Sequence, residues 1–569
     1  MNTSMTVTIR RLMNAFIIIF LVISGVAAYV QVGNQAFFNG PLLAGGSYET
    51  LARKCPPVDS PLRGRILDRN GNVIAETVPD DAKSGPHVCG YHRVYSQWAV
   101  DDGLAPLIGY YTYSYGAGGL EQTLNNDLSG NSLATVIPIK DQIRAKLLHS
   151  AQYGNDIYLT IDKNVQDAAA KYYDRSAIID PSPNGVCQKQ AGLVGSVTVE
   201  DPNTGQILAM YSYPTYDPNQ IEQADSRDPK LQAAGQAYWK QLNQDARAPL
   251  LNKSAQGLFV PGSSFKTLTL IAGLDAGKYA LDTQFSLADA TDFKVPQGED
   301  IPWYDYFNGV WKGRLSNGDF PITTTQGFAF SDNPLFARMA YNTGADTWLR
   351  YARKFGIATP GTSSPTVPFD GPSAQSIAYN AITNGKPTSF SGDLLAESGF
   401  GQGQLLVSPL TMTEITATVA ANGYLYEPHA VMKVVAHGQN AADVAPTNDK
   451  VAFGGGPVIQ PQTATAVRQA MYAVVNYGTG NYGLPPDPLT GNVLKFTGTH
   501  VGGKTGTGQL QSGEPNAWWI SLAPDDQAPG APGGAQYVMT VMKAHGGEGA
   551  CQVYVADDVY QYLFAHPPK

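Results

Sequence analysis

Charge is scarce in this chain, and so are several signatures by which enzymes are first sorted. Of 569 residues, 15% are charged, with 38 Lys and Arg against 47 Asp and Glu and a formal net charge of −9. No block of Lys and Arg stands out, so nucleic acid is not an expected partner. Only four cysteines occur, Cys55, Cys89, Cys187 and Cys551, and none belongs to a C-x-x-C pair, which argues against a zinc site of that kind. There is no H-E-x-x-H helix, and no G-x-S-x-G elbow surrounds the serine discussed below. Long apolar runs are missing too, with one exception near the start. The length exceeds what one ordinary core accommodates, so two or three domains are expected.

The exception follows Arg10 and Arg11. It centres on Ala15-Phe16-Ile17-Ile18-Ile19-Phe20-Leu21-Val22-Ile23, continues to Val30, and meets no charge until Glu49. That is close to the roughly 20 residues that cross a bilayer. Two arginines before it and none just after place the N-terminus in the cytoplasm. A cleaved signal peptide is the competing reading, with Val26-Ala27-Ala28 as the cleavage site. The run is longer than a usual signal core, which favours an uncleaved anchor. The expected layout is a cytoplasmic tail over 1–11, a transmembrane anchor over 12–32, and an extracytoplasmic remainder in a cell-membrane protein with a single span. An even number of cysteines in an exported chain suggests two disulfides, and three connectivities are open. Cys55–Cys89 with Cys187–Cys551 keeps each bridge inside one expected domain; four free buried thiols are the other reading.

The most informative stretch is Gly257-Leu258-Phe259-Val260-Pro261-Gly262-Ser263-Ser264-Phe265-Lys266-Thr267. A Pro-Gly turn delivers Ser263 to an apolar run ending before Gly277, which predicts a buried helix of roughly four turns. Residues at i and i+3 share a helix face, so the Ser263 hydroxyl and the Lys266 amine can meet. The first-turn N–H groups favour an oxyanion beside Ser263. A lysine among apolar neighbours loses hydration, which lowers its pKa toward a proton-accepting form. S-x-x-K by itself arises by chance on the order of once in a chain this long, so its company decides.

Two further stretches supply that company. In Phe330-Ser331-Asp332-Asn333-Pro334, Pro334 suits a first helical position and the residues before it suit a cap. Ser331 and Asn333, facing one way, form a pair that relays a proton and holds a substrate amide. In Val501-Gly502-Gly503-Lys504-Thr505-Gly506-Thr507-Gly508, glycines allow close backbone approach along a strand. Lys504 brings charge, and Thr505 and Thr507 bring hydroxyls. Such an edge binds a carboxylate and offers a backbone N–H to an oxyanion. A Gly-rich turn before the strand Trp518–Leu522 is the bland alternative.

Taken in order, Ser263-x-x-Lys266, Ser331-x-Asn333 and Lys504-Thr505-Gly506 resemble the motif set of β-lactamases and penicillin-binding proteins. The chain as a whole resembles a class B penicillin-binding protein, a peptidoglycan D,D-transpeptidase. The likeness includes Arg63-Gly64-Arg65-Ile66-Leu67-Asp68-Arg69-Asn70-Gly71, Tyr213-Pro214-Thr215-Tyr216-Asp217-Pro218-Asn219 and Gly401-Gln402-Gly403. Asn252-Lys253-Ser254 stands where the family often has Asn-Arg-Ala, and Ser264 replaces a frequent threonine.

The resemblance implies an α/β (α+β) transpeptidase domain of the β-lactamase-like kind over 156–569. Its antiparallel sheet would be flanked by helices around a central buried helix. A strand-rich, elongated, non-catalytic pedestal or dimerisation-type module would cover 33–155. Ser263 would be the nucleophile, Lys266 would take its proton, Ser331 would pass a proton to the leaving amine, and Asn333 would hold the substrate backbone. Lys504 would set the field. Thr505, Gly506 and Thr507 would line the substrate carboxylate, and the N–H groups of Ser263 and Thr507 would form the oxyanion hole. The implied ligands are peptidoglycan stem peptides and β-lactams, the implied partner is a polytopic membrane glycan polymerase, and neither metal nor organic cofactor is implied. A β-lactam hydrolase or a D,D-carboxypeptidase on the same fold, and a non-enzymatic β-lactam sensor or scaffold, are the alternatives. The fate of a penicillin adduct at Ser263 separates them.

Overall fold

Asp68 sets the first turn of the fold. Its carboxylate accepts the backbone N–H groups of Asn70 and Asn72 at 2.9 and 2.7 Å, and Gly71 supplies φ = 88°. This is the side-chain-capped turn that an Asn-Gly hairpin calls for. The computed structural model describes residues 61–80, 86–130, 153–174, 191–295, 319–359, 367–378, 392–446, 455–480, 500–524 and 534–568, with Cys55, Cys187, Phe390, Val451 and Ala452 besides. The expected span over 12–32 lies outside the described residues. Among them, no helix is long and apolar enough to cross a membrane.

Two five-stranded sheets organise the chain. Their strands are β1 (Ile66–Leu67), β2 (Val73–Pro79), β3 (Tyr91–Tyr95), β4 (Asp156–Leu159), β5 (Gly195–Asp201), β6 (Gln206–Tyr213), β7 (Val431–Val435), β8 (Gly502–Gly508), β9 (Asn516–Ala523) and β10 (Tyr537–Lys543). The first sheet runs β7-β4-β1-β2-β3 and is mixed, because β1 and β4 pair in parallel. The second runs β8-β9-β10-β5-β6 and is antiparallel throughout. Every residue of β9 and β10 is buried, Trp518 and Trp519 included, as a central strand covered on both faces requires.

The covering helices are α1 (Lys163–Tyr172), α2 (Lys266–Asp275), α3 (Asn333–Thr343), α4 (Pro409–Ala420), α5 (Pro461–Asn476) and α6 (Gln552–Ala565). Helices α1 and α6 pack on each other and on the second sheet; α4 and α5 pack on it as well, and α2 lies against both. Asp162 caps α1 by accepting from Asn164 and Val165, and Ser408 caps α4 by accepting from Thr411. Met412, Ile415 and Val419 of α4 are core residues, as their helical stripe predicts. Residues Lys266 to Gly273 of α2 are all buried. Ser263 does not open that helix directly. Gly262–Phe265 form a 3-10 turn, and the α-helix starts at Lys266, because Gly262 takes φ = 54° to leave the Pro-Gly turn.

The first sheet crosses the expected boundary between 155 and 156. Strand β4 lies just beyond it, and β7 comes from much later in the chain. The apolar cluster beneath this sheet likewise joins Ile66, Ile74 and Leu159 to Ile207, Met210, Leu410 and Val431. The module around β1 to β3 also carries short helices, Gln97–Asp101 and Ala105–Ile108, that weak periodicity in the sequence concealed. Its centre is a buried ion cluster. Glu121 accepts from Arg63 Nε at 2.5 Å and from Arg93 Nε at 2.7 Å, and Arg93 also donates to the Gly64 carbonyl at 2.7 Å. Arg65 pairs with Asp156 at 2.6 Å. The arginines of the Arg63-Gly64-Arg65 stretch therefore hold the module's architecture.

Both disulfides join the pairs that the domain argument favours, Cys55–Cys89 and Cys187–Cys551. The second spans 364 residues of sequence and ties the region before β5 to the turn before α6. Two carboxyl groups, Glu200 on β5 and Glu414 on α4, are fully buried against each other, and apart from each other their oxygens have no hydrogen-bond partner. Burial and mutual repulsion push Glu414 well above the carboxylate range, and burial pushes Glu200 up to about 8. A proton shared between them satisfies both.

Candidate active site

The turn that carries Ser263 is held against strand β8 by glycines. A Cβ at Gly262 would stand 2.2 Å from the Thr507 carbonyl oxygen, so no larger residue fits there. Gly401 meets the same turn from the other direction. The Gly262 N–H donates to the Gly401 carbonyl at 2.9 Å, and Gln402 Nε2 donates to the Thr507 carbonyl at 3.2 Å. Trp518 Nε1 of β9 donates to the Val260 carbonyl at 2.9 Å. Three separate segments, β8, Gly401–Gln402 and β9, therefore fix the turn that carries this serine.

Lys266 Nζ lies 2.8 Å from Ser263 Oγ, as the i, i+3 spacing predicts. It is also 2.6 Å from the Ser331 carbonyl, 3.1 Å from Ser331 Oγ and 2.5 Å from Asn333 Oδ1. Lys504 Nζ is 2.9 Å from Ser331 Oγ and 3.1 Å from its neighbour's carbonyl at Thr505. Ser263, Ser331 and Asn333 stay half-buried and reachable, while Lys266 and Lys504 have no exposed surface. All five residues that the sequence assigned to chemistry thus meet at one place.

The electrostatics follow from burial. Both lysines sit beside aromatic rings, Lys266 5.8 Å from the Phe336 centroid and Lys504 5.5 Å from that of Phe328. Burial takes Lys266 well below the usual lysine value, and the neighbouring Lys504 pushes it the same way, against the pull of Asp332. Burial alone brings Lys504 down to about 7. Asp332 is pushed up to about 8 by burial, opposed by the Leu335 N–H that it caps. Its other oxygen is buried without a hydrogen-bond partner. Ser331 adopts φ = 64°, a strained value for a residue with a side chain. That conformation turns both its carbonyl and its hydroxyl toward Lys266.

Strand β8 carries the remaining expected residues. Thr505 Oγ1 lies 2.7 Å from Thr479 Oγ1 just after α5, and Thr507 is half-buried beside the Ser263 turn. Residues 498–505 also have the spacing of a phosphate loop. Yet the described part of that stretch, Gly502 to Gly508, pairs residue by residue with β9 as an extended strand, and β9 follows it in place of the helix that a phosphate cradle needs. The sequence reading gave no role to Asp332, Gln402 or Thr479. Asp332 was signalled by its place before Pro334, where a cap is wanted. Gln402 lies in the quoted Gly401-Gln402-Gly403 stretch, but nothing local marks its contact or that of Thr479, since their partners are 105 and 26 residues away.

Lys253 of the Asn252-Lys253-Ser254 triplet is buried, and its ammonium donates to the Ala248 and Leu251 carbonyls at 2.5 and 3.0 Å. Asn252 caps the short helix Lys253–Gln256. The departure from the more frequent triplet leaves a structural element intact.

Residues 195–556 match the family described as the penicillin-binding protein transpeptidase domain, and residues 63–156 match the penicillin-binding protein A dimerisation domain. Among curated relatives, the peptidoglycan D,D-transpeptidase PbpA of Mycolicibacterium smegmatis is 27% identical over 473 residues, covering 81% of each chain. Penicillin-binding protein 3 of Bacillus subtilis is 27% identical over 458 residues, covering 79% of this chain and 57% of its own. Among solved structures, penicillin-binding protein A from M. tuberculosis as an imipenem acyl-enzyme complex superposes with a TM-score of 0.66 at 23% identity. The match covers 89% of this chain and 99% of that one. Its penicillin G acyl-enzyme complex gives 0.65 with the same identity and 89% and 100% coverage. At that identity the superpositions establish the shared fold.

Proposed function

The chain belongs to the penicillin-binding protein transpeptidase family, and from that membership and the geometry around Ser263 we propose that it is a peptidoglycan D,D-transpeptidase. One observation carries the chemistry. A neutral lysine amine has two N–H donors and one lone pair. Two of the groups around Lys266 Nζ accept only, the Ser331 carbonyl and Asn333 Oδ1. They take the two N–H groups. The lone pair is left for the Ser263 hydroxyl at 2.8 Å, which is the arrangement of a base about to remove a proton.

Ser263 Oγ attacks the carbonyl carbon between the two terminal D-alanines of a stem peptide as its proton passes to Lys266. The oxyanion is met by the N–H groups of Ser263 and Thr507. The C–N bond then breaks, and Ser331, supplied by the lysines on either hand, gives the departing amine its proton. D-Alanine leaves, and an ester joins the rest of the stem to Ser263. An amine of a neighbouring stem attacks that ester, Lys266 takes up the amine's proton, and Ser263 recovers its own. The new peptide bond cross-links two strands. Asn333 holds the stem's backbone. Lys504, Thr505 and Thr507 bind the terminal carboxylate. A β-lactam enters the same way, but its ring opens without releasing the leaving group, so the ester at Ser263 persists.

The uncleaved span over 12–32 would place this chemistry outside the cell membrane with residues 1–11 in the cytoplasm. The four cysteines, joined as two disulfides, suit that oxidising side. The span and the module over 33–155 would contact a polytopic membrane glycan polymerase. Mass spectrometry after penicillin treatment tests the chemistry. A long-lived adduct on Ser263, with D-alanine released from a stem pentapeptide only as cross-links form, supports it. Rapid turnover of penicillin, or D-alanine release without cross-links, would instead indicate a hydrolase or a carboxypeptidase. Co-purification of a polymerase with the full-length chain, lost on exchanging residues 12–32 for an unrelated apolar span, tests the contact.

A further inference from the structure

Thr479 Oγ1 lies 2.7 Å from Thr505 Oγ1, and the acyl transfer at Ser263 gives Thr479 no task. Helix α5 packs on β8 and ends at Asn476, and Tyr477-Gly478-Thr479-Gly480 close its end. That turn is clamped at several points. The Gly478 and Gly480 N–H groups donate to the Ala473 and Val474 carbonyls at 3.1 and 3.0 Å. The Thr479 N–H donates at 3.0 Å to the carbonyl of Ala329, two residues before Ser331. A Cβ at Gly478 would stand 2.3 Å from that same carbonyl oxygen, so only glycine lets the turn lie this close. The Tyr477 ring centroid is 5.8 Å from that of Phe330. The Thr479 hydroxyl is therefore fixed relative to both the Ser331 loop and β8.

Thr505 is the residue with a use for such a partner. A threonine hydroxyl has a single proton to donate. Each of these two hydroxyls has the other as its only hydrogen-bond partner among the described residues. If Thr505 donates to Thr479, its proton is withheld from the substrate, and the Thr479 proton has no acceptor. If Thr479 donates, Thr505 Oγ1 serves as the acceptor and its own proton is free for a carboxylate oxygen. Only the second arrangement gives both protons an acceptor once a carboxylate is bound. Hydrogen bonds in series polarise one another, and a charged acceptor at the end strengthens the chain. A threonine pair that merely tied α5 to β8 would be indifferent to its direction and to the charge of the ligand.

We propose that Thr479 is a positioning residue for the substrate's terminal carboxylate. It donates to Thr505 Oγ1 and so turns the Thr505 proton toward the ligand. This role rests on the transpeptidase reading, and it adds a determinant of carboxylate recognition that lies outside the three motifs.

The test follows acylation of Ser263 in the full-length protein by a penicillin, and by the same penicillin with its carboxylate methylated. Thr479→Val keeps the side chain's shape and removes the hydroxyl. It should weaken the apparent affinity for the penicillin by about 3- to 10-fold, with the limiting acylation rate and the melting temperature close to the parent's. Acylation by the methyl ester should change little, so the preference for the free acid falls. Thr479→Ser should restore that preference. In a Thr505→Val background, Thr479→Val should cost nothing further. Equal losses for the two compounds, losses that multiply in the double variant, or a parent-like preference in Thr479→Val would each overturn the proposal. Should Thr479→Val not fold, Thr479→Ala is held against Thr479→Ser by the same ratio: a lost preference in the first alone sustains the role, and equal preferences overturn it. A parent chain that acylates while its variants miss these marks removes the role of Thr479 alone. A parent that no penicillin acylates removes the transpeptidase reading, and this role with it.

Discussion

Lys504 Nζ stands 2.9 Å from Ser331 Oγ, so the hydroxyl that also lies 3.1 Å from Lys266 bridges two buried amines. Three motifs that are remote in the chain are thereby wired into one proton path. The expected effects of cutting that path differ from one residue to the next.

Removing the base should stop acylation without unfolding the protein. Lys266→Met keeps a similar volume in a site with no exposed surface but cannot accept a proton. We expect the second-order rate of labelling by a fluorescent penicillin to fall by about 10²–10⁴-fold, with the melting temperature little changed or raised. Labelling at the parent rate would remove Lys266 from the role of base.

Lys504 gives a pH signature. Burial brings its ammonium down to about 7, so it carries charge below that pH and loses it above. The grip on a carboxylate should weaken as pH rises through about 7. The acylation rate at low penicillin concentration, which reports the free enzyme, should decline on the alkaline side with that midpoint. Lys504→Arg stays charged throughout, so its alkaline limb should disappear. A limb that persists in Lys504→Arg would assign the titration to another group.

The Glu200–Glu414 pair should set part of the pH dependence of stability. Both carboxyls are raised in the folded chain relative to the unfolded one. Their contribution is therefore fully present below the ordinary glutamate range. It is lost as pH rises toward and through about 8, because the folded state must give up a proton it holds tightly. Differential scanning calorimetry should show the parent losing more melting temperature between pH 5 and 8 than Glu414→Gln does. Parallel curves would count against the shared proton.

The long disulfide should stabilise without taking part in chemistry. Cys187 and Cys551 enclose 364 residues of separation, so opening the bridge frees a large loop in the unfolded chain. The double variant Cys187→Ser, Cys551→Ser is expected to lose about 2–5 kcal/mol of stability. At low temperature it should still acylate Ser263. Urea denaturation and penicillin labelling on the same samples check both halves.

Much of this site was legible before any coordinates. Ser263 and Lys266 lie one helical turn apart, Pro334 and Asp332 announce the start of α3, and glycines around Lys504 mark a strand that something approaches closely. Each of these is a local signal. That they share one place came from the resemblance, since spacing cannot bring residues 263, 331 and 504 together. The continuous apolar runs of β9 and β10 and the stripe on α4 were equally plain. What stayed hidden depends on distant partners. Gln402 reaches the Thr507 carbonyl, Thr479 meets Thr505, and His87 meets Asp80 with no periodic pattern to betray them. The 3-10 turn at Ser263 was missed because a Pro-Gly step and a helix start leave the pitch of the joining turn open.

Strand β7 places a short piece from the late chain at the edge of the early sheet, beside β4. The halves are consequently interlaced, like two fabrics sharing a hem. An excised fragment beginning at residue 156 would keep β4 and β7 but strand them without β1 to β3, exposing Ile157 and Leu159. Any exchange of modules between related chains would have to carry both borrowed ribbons along with the swapped part.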